Sequence, residues 1–208
     1  MAVPPTSPSD KRQLRIAMRA LRTAYVAGLS VAEREAAERA LAERVAPLLA
    51  GHERIASYQA IGAEIEPCFL SRHPRGVVGD DPWSIAYPRV RGRDASLTFH
   101  AAAAADMVPG WSNILEPHAD APLIAPTALL VPLLAVDARG NRLGYGAGHY
   151  DRTLAELGSV LKIGLAWDCQ VVDALPAEPW DVPLDWIATP TRLIRCDSTA
   201  IGLHAPTR

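Results

Sequence analysis

The residue types best suited to chemistry are concentrated between Val131 and Leu157, read as VPLLAVDARGNRLGYGAGHYDRTLAEL. An apolar run leads into a loop with glycines at 144, 146 and 148, and a helical pattern follows. Glycine adopts positive φ and admits a ligand close to the backbone. Successive N–H groups in such a loop can face phosphate oxygens, and the dipole of the next helix favours the same charge. Arg142 can add a charge-assisted hydrogen bond. The spacing GxGxG lacks the Lys-Ser/Thr of a P-loop and differs from the dinucleotide pattern GxGxxG, so alone it equally describes a tight strand-to-helix turn. A second concentration of charge lies in the first 22 residues, where Lys11, Arg12, Arg15, Arg19 and Arg22 face one acid, Asp10. That end suits a small phosphate-bearing ligand or a solvated face. Lys11 is one of two lysines in a chain that otherwise uses arginine, and a compact ammonium suits a phosphate contact; Arg12, Arg19 and Arg22 read as solvated.

Those groups must be carried by elements whose periodicity is visible. Asp10 followed by Gln13 reads as a reciprocally capped helix start, after a Pro- and Ser-rich opening, with Leu14, Met18, Leu21 and Tyr25 as its buried stripe. Ser30 with Glu33 opens a second helix running to about Leu49, with Glu and Arg outside, Ala, Leu and Val inside, and Gly51 as its stop. From Arg54 the period changes. Residues 55–58, Trp83 to Tyr87, Leu97 to Ala101, Ala128 to Val131, Leu161 to Ala166 and Trp186 to Thr189 read as short strands, several continuously apolar as in strands covered on both faces. Helical stretches near Glu66 to Arg72 and Tyr150 to Leu157 lie between them, and this alternation predicts an α/β layered fold.

The phrase Asn141-Arg-Leu-Gly-Tyr-Gly-Ala-Gly-His-Tyr-Asp-Arg152, preceded by Val-Pro and an Asp-x-x-Gly turn, resembles the signature of the 5-formyltetrahydrofolate cyclo-ligase family. Agreement extends in scattered blocks from Lys11 to Thr189. The segments Lys11-Arg-Gln-Leu-Arg15, Tyr58-Gln-Ala-Ile-Gly-Ala-Glu-Ile-Glu66 and Leu175-Pro-Ala-Glu-Pro-Trp-Asp-Val-Pro-Leu-Asp185 each match a family block. The resemblance implies ATP-dependent closure of 5-formyltetrahydrofolate to 5,10-methenyltetrahydrofolate. It assigns the nucleotide to Lys11, Arg15 and the loop Arg142, Leu143, Gly144, Tyr145, Gly146, Ala147, Gly148, His149 and Tyr150. Magnesium falls to Asp151 and Asp181, and the folate to Gln59, Glu64 and Tyr150. Trp111 would stack on the pterin, displaced by one residue from the family's aromatic. Arg142 and Tyr150 are the expected catalytic residues. Two carboxylates from distant positions suit magnesium, which keeps several waters and shares phosphate oxygens. A carboxylate at Glu64 suits the paired N–H donors of a pterin edge, although a first-turn helix acid would look the same in sequence. His149 stands where the family most often has Tyr, and Trp180 where it most often has His.

The same resemblance implies one α/β domain, residues 10–196, between tails 1–9 and 197–208. Its parallel-rich sheet would be flanked by helices, similar to the sugar-isomerase/CoA-transferase-like fold. A sugar-phosphate isomerase or CoA-transferase relative, and a non-catalytic nucleotide- or folate-binding regulator, remain as alternatives.

Composition bounds the rest. The chain has 208 residues, 49% hydrophobic, with net charge -2, enough for one buried core. No apolar run approaches the roughly 20 residues of a membrane span, and the opening MAVPPTSPSDKR has no signal-peptide pattern, so a cytoplasmic, monomeric protein with no membrane or nucleic-acid partner is expected. Cys68, Cys169 and Cys196 are far apart and read as reduced packing residues. His52, His73, His100, His118 and His204 lack metal-ligand spacing, and Ser57 and Ser84 lack the GxSxG context of an acyl-enzyme hydrolase.

Overall fold

A computed structural model describes residues 8–67, 85–103 and 106–197. Among the described residues the helices are α1 (Pro8–Ala27), α2 (Val31–Leu49) and α3 (His149–Leu157), with short 3-10 turns at Trp111–Asn113 and Asp168–Gln170. The strands are β1 (Ile55–Ala56), β2 (Ile85–Val90), β3 (Leu97–Ala101), β4 (Val108–Pro109), β5 (Leu115–Glu116), β6 (Ala128–Pro132), β7 (Ala135–Asp137), β8 (Arg142–Leu143), β9 (Leu161–Leu165), β10 (Val171–Val172), β11 (Trp186–Ala188) and β12 (Leu193–Arg195).

Seven strands make the main sheet in the order β12-β11-β9-β6-β1-β2-β3. Pairings from β11 through β9, β6 and β1 to β2 are parallel, and the edge strands β12 and β3 pair antiparallel. The fold is therefore mixed α/β with a mostly parallel sheet. Alternate residues of the central strands feed two cores, as the two-residue period requires. Ile55, Ala128, Leu130, Ile163 and Leu165 join Leu41, Val45 and Leu49 of α2 on one face. On the other, Ala56, Leu129 and Val131 meet Phe99 of β3 and Leu154 of α3. Burial on both faces explains why these strands read as continuous apolar runs.

A smaller sheet, β10-β7-β8, hangs from the end of β6, and α1 lies on it through Met18 and Leu14 against Leu134, Ala135, Leu143 and Leu175. α1 thus reaches the ends of the parallel strands, where the Gly-rich loop emerges. Among the described residues no helix is long and apolar enough to cross a membrane.

Some sequence expectations require correction. α1 begins at Pro8, so Asp10 lies within the first turn instead of capping it with Gln13. Leu21 and Tyr25 are on the exposed side; the inward stripe is Leu14, Met18, Arg22 and Val26, and it admits a buried arginine. In α2 the Ser30–Glu33 capping box forms as read, but Glu38 is buried among the apolar residues, where its Oε1 accepts from Arg34 at 2.9 Å and from the Glu66 N–H at 3.3 Å. β2 extends to Val90, and α3 starts one residue before Tyr150, at His149. Of the helix expected over Glu66 to Arg72, Glu66 and Pro67 are non-helical, and the remainder lies outside the described residues, as do Cys68, His73, Trp83, Ser84 and His204.

Candidate functional site

Arg142 is launched by a tightly bonded turn between β7 and β8. The buried Asp137 carboxylate accepts from the N–H groups of Arg139 at 3.0 Å, Asn141 at 3.1 Å and Leu175 at 3.0 Å, and from Asn141 Nδ2 at 2.9 Å. Gly140 closes the turn at φ +84°, and a Cβ there would lie 2.5 Å from the Leu184 carbonyl oxygen. Both conformation and space therefore demand glycine.

The Arg142 guanidinium, largely buried, donates to Asp151 Oδ1 at 2.5 Å and to the Val182 carbonyl. Burial draws the Arg142 pKa below its ordinary value, while Asp151 and Asp181 oppose that shift. Asp151, in the first turn of α3, has its pKa raised by burial and by the like charge of Asp181, against the opposing pull of Arg142 and Lys11. Lys11 arrives from α1, 3.0 Å from Glu178 Oε1 and 3.6 Å from Asp181 Oδ2. The Asp181 carboxylate also accepts from the Glu178 N–H at 2.8 Å, which fixes the Pro-rich loop beneath the lysine. Two cations and three carboxylates thus interleave at the mouth of the Gly-rich loop.

That loop lies on α1. Arg15 Nε donates to the Gly144 carbonyl at 3.0 Å. Gly146 has φ +102°, and a Cβ on it would sit 3.3 Å from the Arg15 guanidinium carbon. Gly148 caps α3 in the left-handed region with no side-chain acceptor for the first-turn amides. His149 Nδ1 lies 2.9 Å from the Ala95 carbonyl and 3.3 Å from Arg152 NH2. A carbonyl can only accept, so Nδ1 carries the proton, and Arg152 instead donates to the Ala147 carbonyl at 2.8 Å. His149 therefore ties the loop to the segment before β3.

Tyr145, within the loop, turns the other way. Its hydroxyl donates to Glu64 Oε1 at 2.6 Å and accepts from Arg22 NH2 at 2.6 Å. The Arg19 and Arg22 guanidinium carbons lie 5.3 and 5.7 Å from its ring centroid. Glu64 is buried in a turn, not in a helix, and Oε2 accepts the Ile61 N–H at 2.9 Å. Burial raises the Glu64 pKa, opposed by the bonds from Tyr145 and Ile61 and by the charge of Arg22. Burial, with Glu64 beside it, pushes the Tyr145 phenol up to about 12. Tyr150 has its phenol raised by burial and by Glu64, with Arg142 opposing, and so senses both ends of the site.

The structure brings together Lys11, Arg15, Glu64, Arg142, Tyr145, Tyr150, Asp151 and Asp181. The hydrogen-bond contacts of Gln59 and Trp111 run to other residues. Gln59 Nε2 lies 3.5 Å from Met107 Sδ. Trp111, 44% exposed, opens the 3-10 turn that links β4 to β5, and its backbone N–H donates to the buried Glu116 at 3.2 Å. Trp180 is exposed and carries none of these bonds. Glu178, under Lys11, is not singled out by the sequence, and Arg22, read there as solvated, is instead buried behind Glu64, because its guanidinium is directed at that carboxylate and at Tyr145. Arg22 was legible in one respect, since it stands four residues after Met18 and eight after Leu14, on their face of the helix.

A family model for the 5-formyltetrahydrofolate cyclo-ligase family matches residues 7–190. The chain is similar to the 5-formyltetrahydrofolate cyclo-ligase of Escherichia coli strain K12, 36% identical over 115 residues; that stretch is 52% of this chain and spans 62% of the relative's length. It is 47% identical to the Haemophilus influenzae protein of the same name over 76 residues, 36% of this chain and 41% of that one. Among solved structures, it resembles 5,10-methenyltetrahydrofolate synthetase of Aquifex aeolicus with a TM-score of 0.68 and 27% identity, covering 93% of this chain and 97% of that one. The corresponding protein of Mycoplasma pneumoniae gives a TM-score of 0.66 and 25% identity, covering 87% and 99%.

Proposed function

This chain belongs to the 5-formyltetrahydrofolate cyclo-ligase family, and on that premise we propose that it converts 5-formyltetrahydrofolate and ATP into 5,10-methenyltetrahydrofolate, ADP and phosphate. The observation that carries the reading is the position of Tyr145: it lies on a Gly-rich loop flanked by Arg15 and Arg142, and it touches the buried Glu64 carboxylate. A phosphate-type cradle and an acceptor for N–H donors are thereby adjacent.

The chemistry explains the residue types. A formamide oxygen leaves poorly, so closure by N10 on the formyl carbon requires that oxygen to be activated. Transfer of the terminal phosphoryl group of ATP to the formyl oxygen makes an imidate-like phosphate. N10 adds to the carbon and gives up its proton to solvent, the C–O bond breaks, and inorganic phosphate departs with the former formyl oxygen, leaving the methenyl bridge. The protein supplies alignment and neutralises spreading negative charge, and it needs no nucleophile of its own. Lys11, Arg15 and Arg142, with the loop amides from Leu143 to His149, would hold the phosphates. Glu64 would accept the pterin's N–H groups, with Gln59 on its flank, Tyr150 beside the folate, and Trp111 as a stacking surface.

Magnesium fits the donor set. Among the described residues no cluster of three His, Cys, Asp or Glu side chains could enclose a metal alone. Magnesium is commonly held by one or two carboxylates plus substrate phosphates, and Asp181 lies close enough to Asp151 for its charge to raise the Asp151 pKa. These two would hold it, and the ion would neutralise phosphate oxygens. On arrival of the nucleotide, Arg142 and Lys11 would exchange their carboxylate partners for phosphate. The proposal extends to a monomeric, cytoplasmic enzyme, and to a likeness with the sugar-isomerase/CoA-transferase-like fold that the parallel strands support.

The test is the ATP-dependent rise in methenyl-folate absorbance on mixing the protein with 5-formyltetrahydrofolate and magnesium. ATP binding without ADP release would instead indicate a regulator, and turnover of a sugar phosphate without methenyl product would indicate an isomerase.

A further inference from the structure

Among the described basic residues of α1, Arg22 alone is buried, with 5% of its side chain exposed. Its NH2 donates to the Tyr145 hydroxyl at 2.6 Å, its NH1 donates to the Leu133 carbonyl at 3.3 Å and lies 3.7 Å from Glu64 Oε1, and its Nε has no acceptor. A guanidinium serving only packing would be an expensive choice here, because a buried, incompletely bonded cation costs more than an apolar side chain of the same volume. Its position is explained by what it faces. Resting on the reading of Glu64 as the carboxylate that accepts the pteridine's N–H donors, we infer that Arg22 is a positioning residue for the folate substrate. It keeps Glu64 ionised and, through Tyr145, holds Oε1 where a substrate N–H is to be received.

The neighbours of Glu64 support this division of labour. Tyr145 faces it from the Gly-rich loop, Tyr58 from the segment after β1 and Tyr150 from α3. All three phenols have raised pKa values, so they remain neutral in the working range. Arg34 of α2 binds the backbone carbonyl of Glu64 at 3.2 Å, and its Nε is committed to Glu38. Arg22 is therefore the cation directed at the carboxylate itself. With Arg22 neutralised, burial pushes the Glu64 pKa up against hydrogen bonds alone, and a protonated carboxyl offers an O–H where the pteridine also offers donors. The Tyr145 bond is the exchangeable one: a substrate N–H takes over Oε1 while Ile61 keeps Oε2.

The experiment measures equilibrium binding of 5-formyltetrahydrofolate without ATP across the neutral pH range, in wild type and in Arg22→Met, Arg22→Gln, Arg22→Lys and Glu64→Gln. The two neutral Arg22 variants should bind ever more weakly as pH falls, approaching about tenfold per pH unit below the raised Glu64 pKa. Wild type and Arg22→Lys should stay level over that range, while Glu64→Gln should be weak and level. In turnover, the neutral variants should raise KM for the folate and leave kcat at saturation nearly intact. If Arg22→Met does not fold, Arg22→Gln carries the same test. A level, wild-type profile in the neutral variants, with Glu64→Gln weakened, overturns the role of Arg22 alone. Wild-type affinity in Glu64→Gln overturns the reading of Glu64 on which it rests.

Discussion

The site has two charged regions built on opposite plans. Around Glu64 the charges are inside the protein, and Arg22, Tyr145 and the Ile61 amide hold one carboxylate. At the loop mouth, Lys11, Arg142, Asp151, Glu178 and Asp181 are interleaved, and the carboxylates remain partly open to solvent. The first arrangement has one satisfactory state and suits recognition of a fixed hydrogen-bond pattern. The second can exchange partners at low cost, since partly exposed ion pairs contribute little stability, and that suits a polyanion that arrives with a metal and leaves one phosphate shorter.

The contrast can be broken at several points. The largest effect is expected from Asp151→Asn, which should lower kcat/KM for cyclisation by about 10²–10³-fold while thermal stability hardly changes. Equal losses of activity and stability would mean that Asp151 is structural. Next, Arg22→Met should cost about 3 kcal/mol in urea unfolding, because it strands a buried carboxylate, whereas Lys11→Met should cost less than about 1 kcal/mol. Similar values would erase the distinction between the regions. Gly146→Val places a Cβ against Arg15 at φ +102°, and should raise KM for ATP by about tenfold or more, with folate binding in the absence of ATP unchanged. The smallest effect concerns pH. The Asp151 pKa is raised by burial, so the folded state holds that proton more tightly than the unfolded chain does. Its contribution is full below the ordinary 3.8 and is lost as pH rises through the raised value. Wild type should therefore lose stability relative to Asp151→Asn between a pH below 3.8 and neutrality, as paired urea melts would reveal.

Sequence legibility followed the same division. Elements with a strong local pattern were readable: the Ser30–Glu33 capping box, Leu97–Ala101 to the residue, and the apolar runs at Ala128 and Leu161. Strands of two or three residues, such as Arg142–Leu143 and Val171–Val172, have no period to detect, and tertiary hydrogen bonds define them. At the loop mouth, Arg142 and Asp151 were legible because they share one local motif, Lys11 and Asp181 were named through separate family blocks, and Glu178 was not singled out. Arg22 was not, because hydrophobicity placed Leu21 and Tyr25 on the inner face, and only a carboxylate 42 positions away gives an arginine reason to be buried. Glu64 was singled out by its motif, but its partners come from α1 and the Gly-rich loop, and no spacing encodes them. Trp111 was also singled out, and its backbone is held on a turn with positive φ at Ser112 and Asn113.

The Asp137 turn has a consequence for how this chain tolerates insertions. Because β8 is two residues long, its partition is binary: Leu143 goes to the α1 core and Arg142 to Asp151. One extra residue between Gly140 and Arg142 would reverse the partition, putting a guanidinium into the apolar layer and a leucine beside the carboxylates. A longer loop elsewhere changes only its own length, but here a single codon inserted in frame would exchange the contents of two compartments.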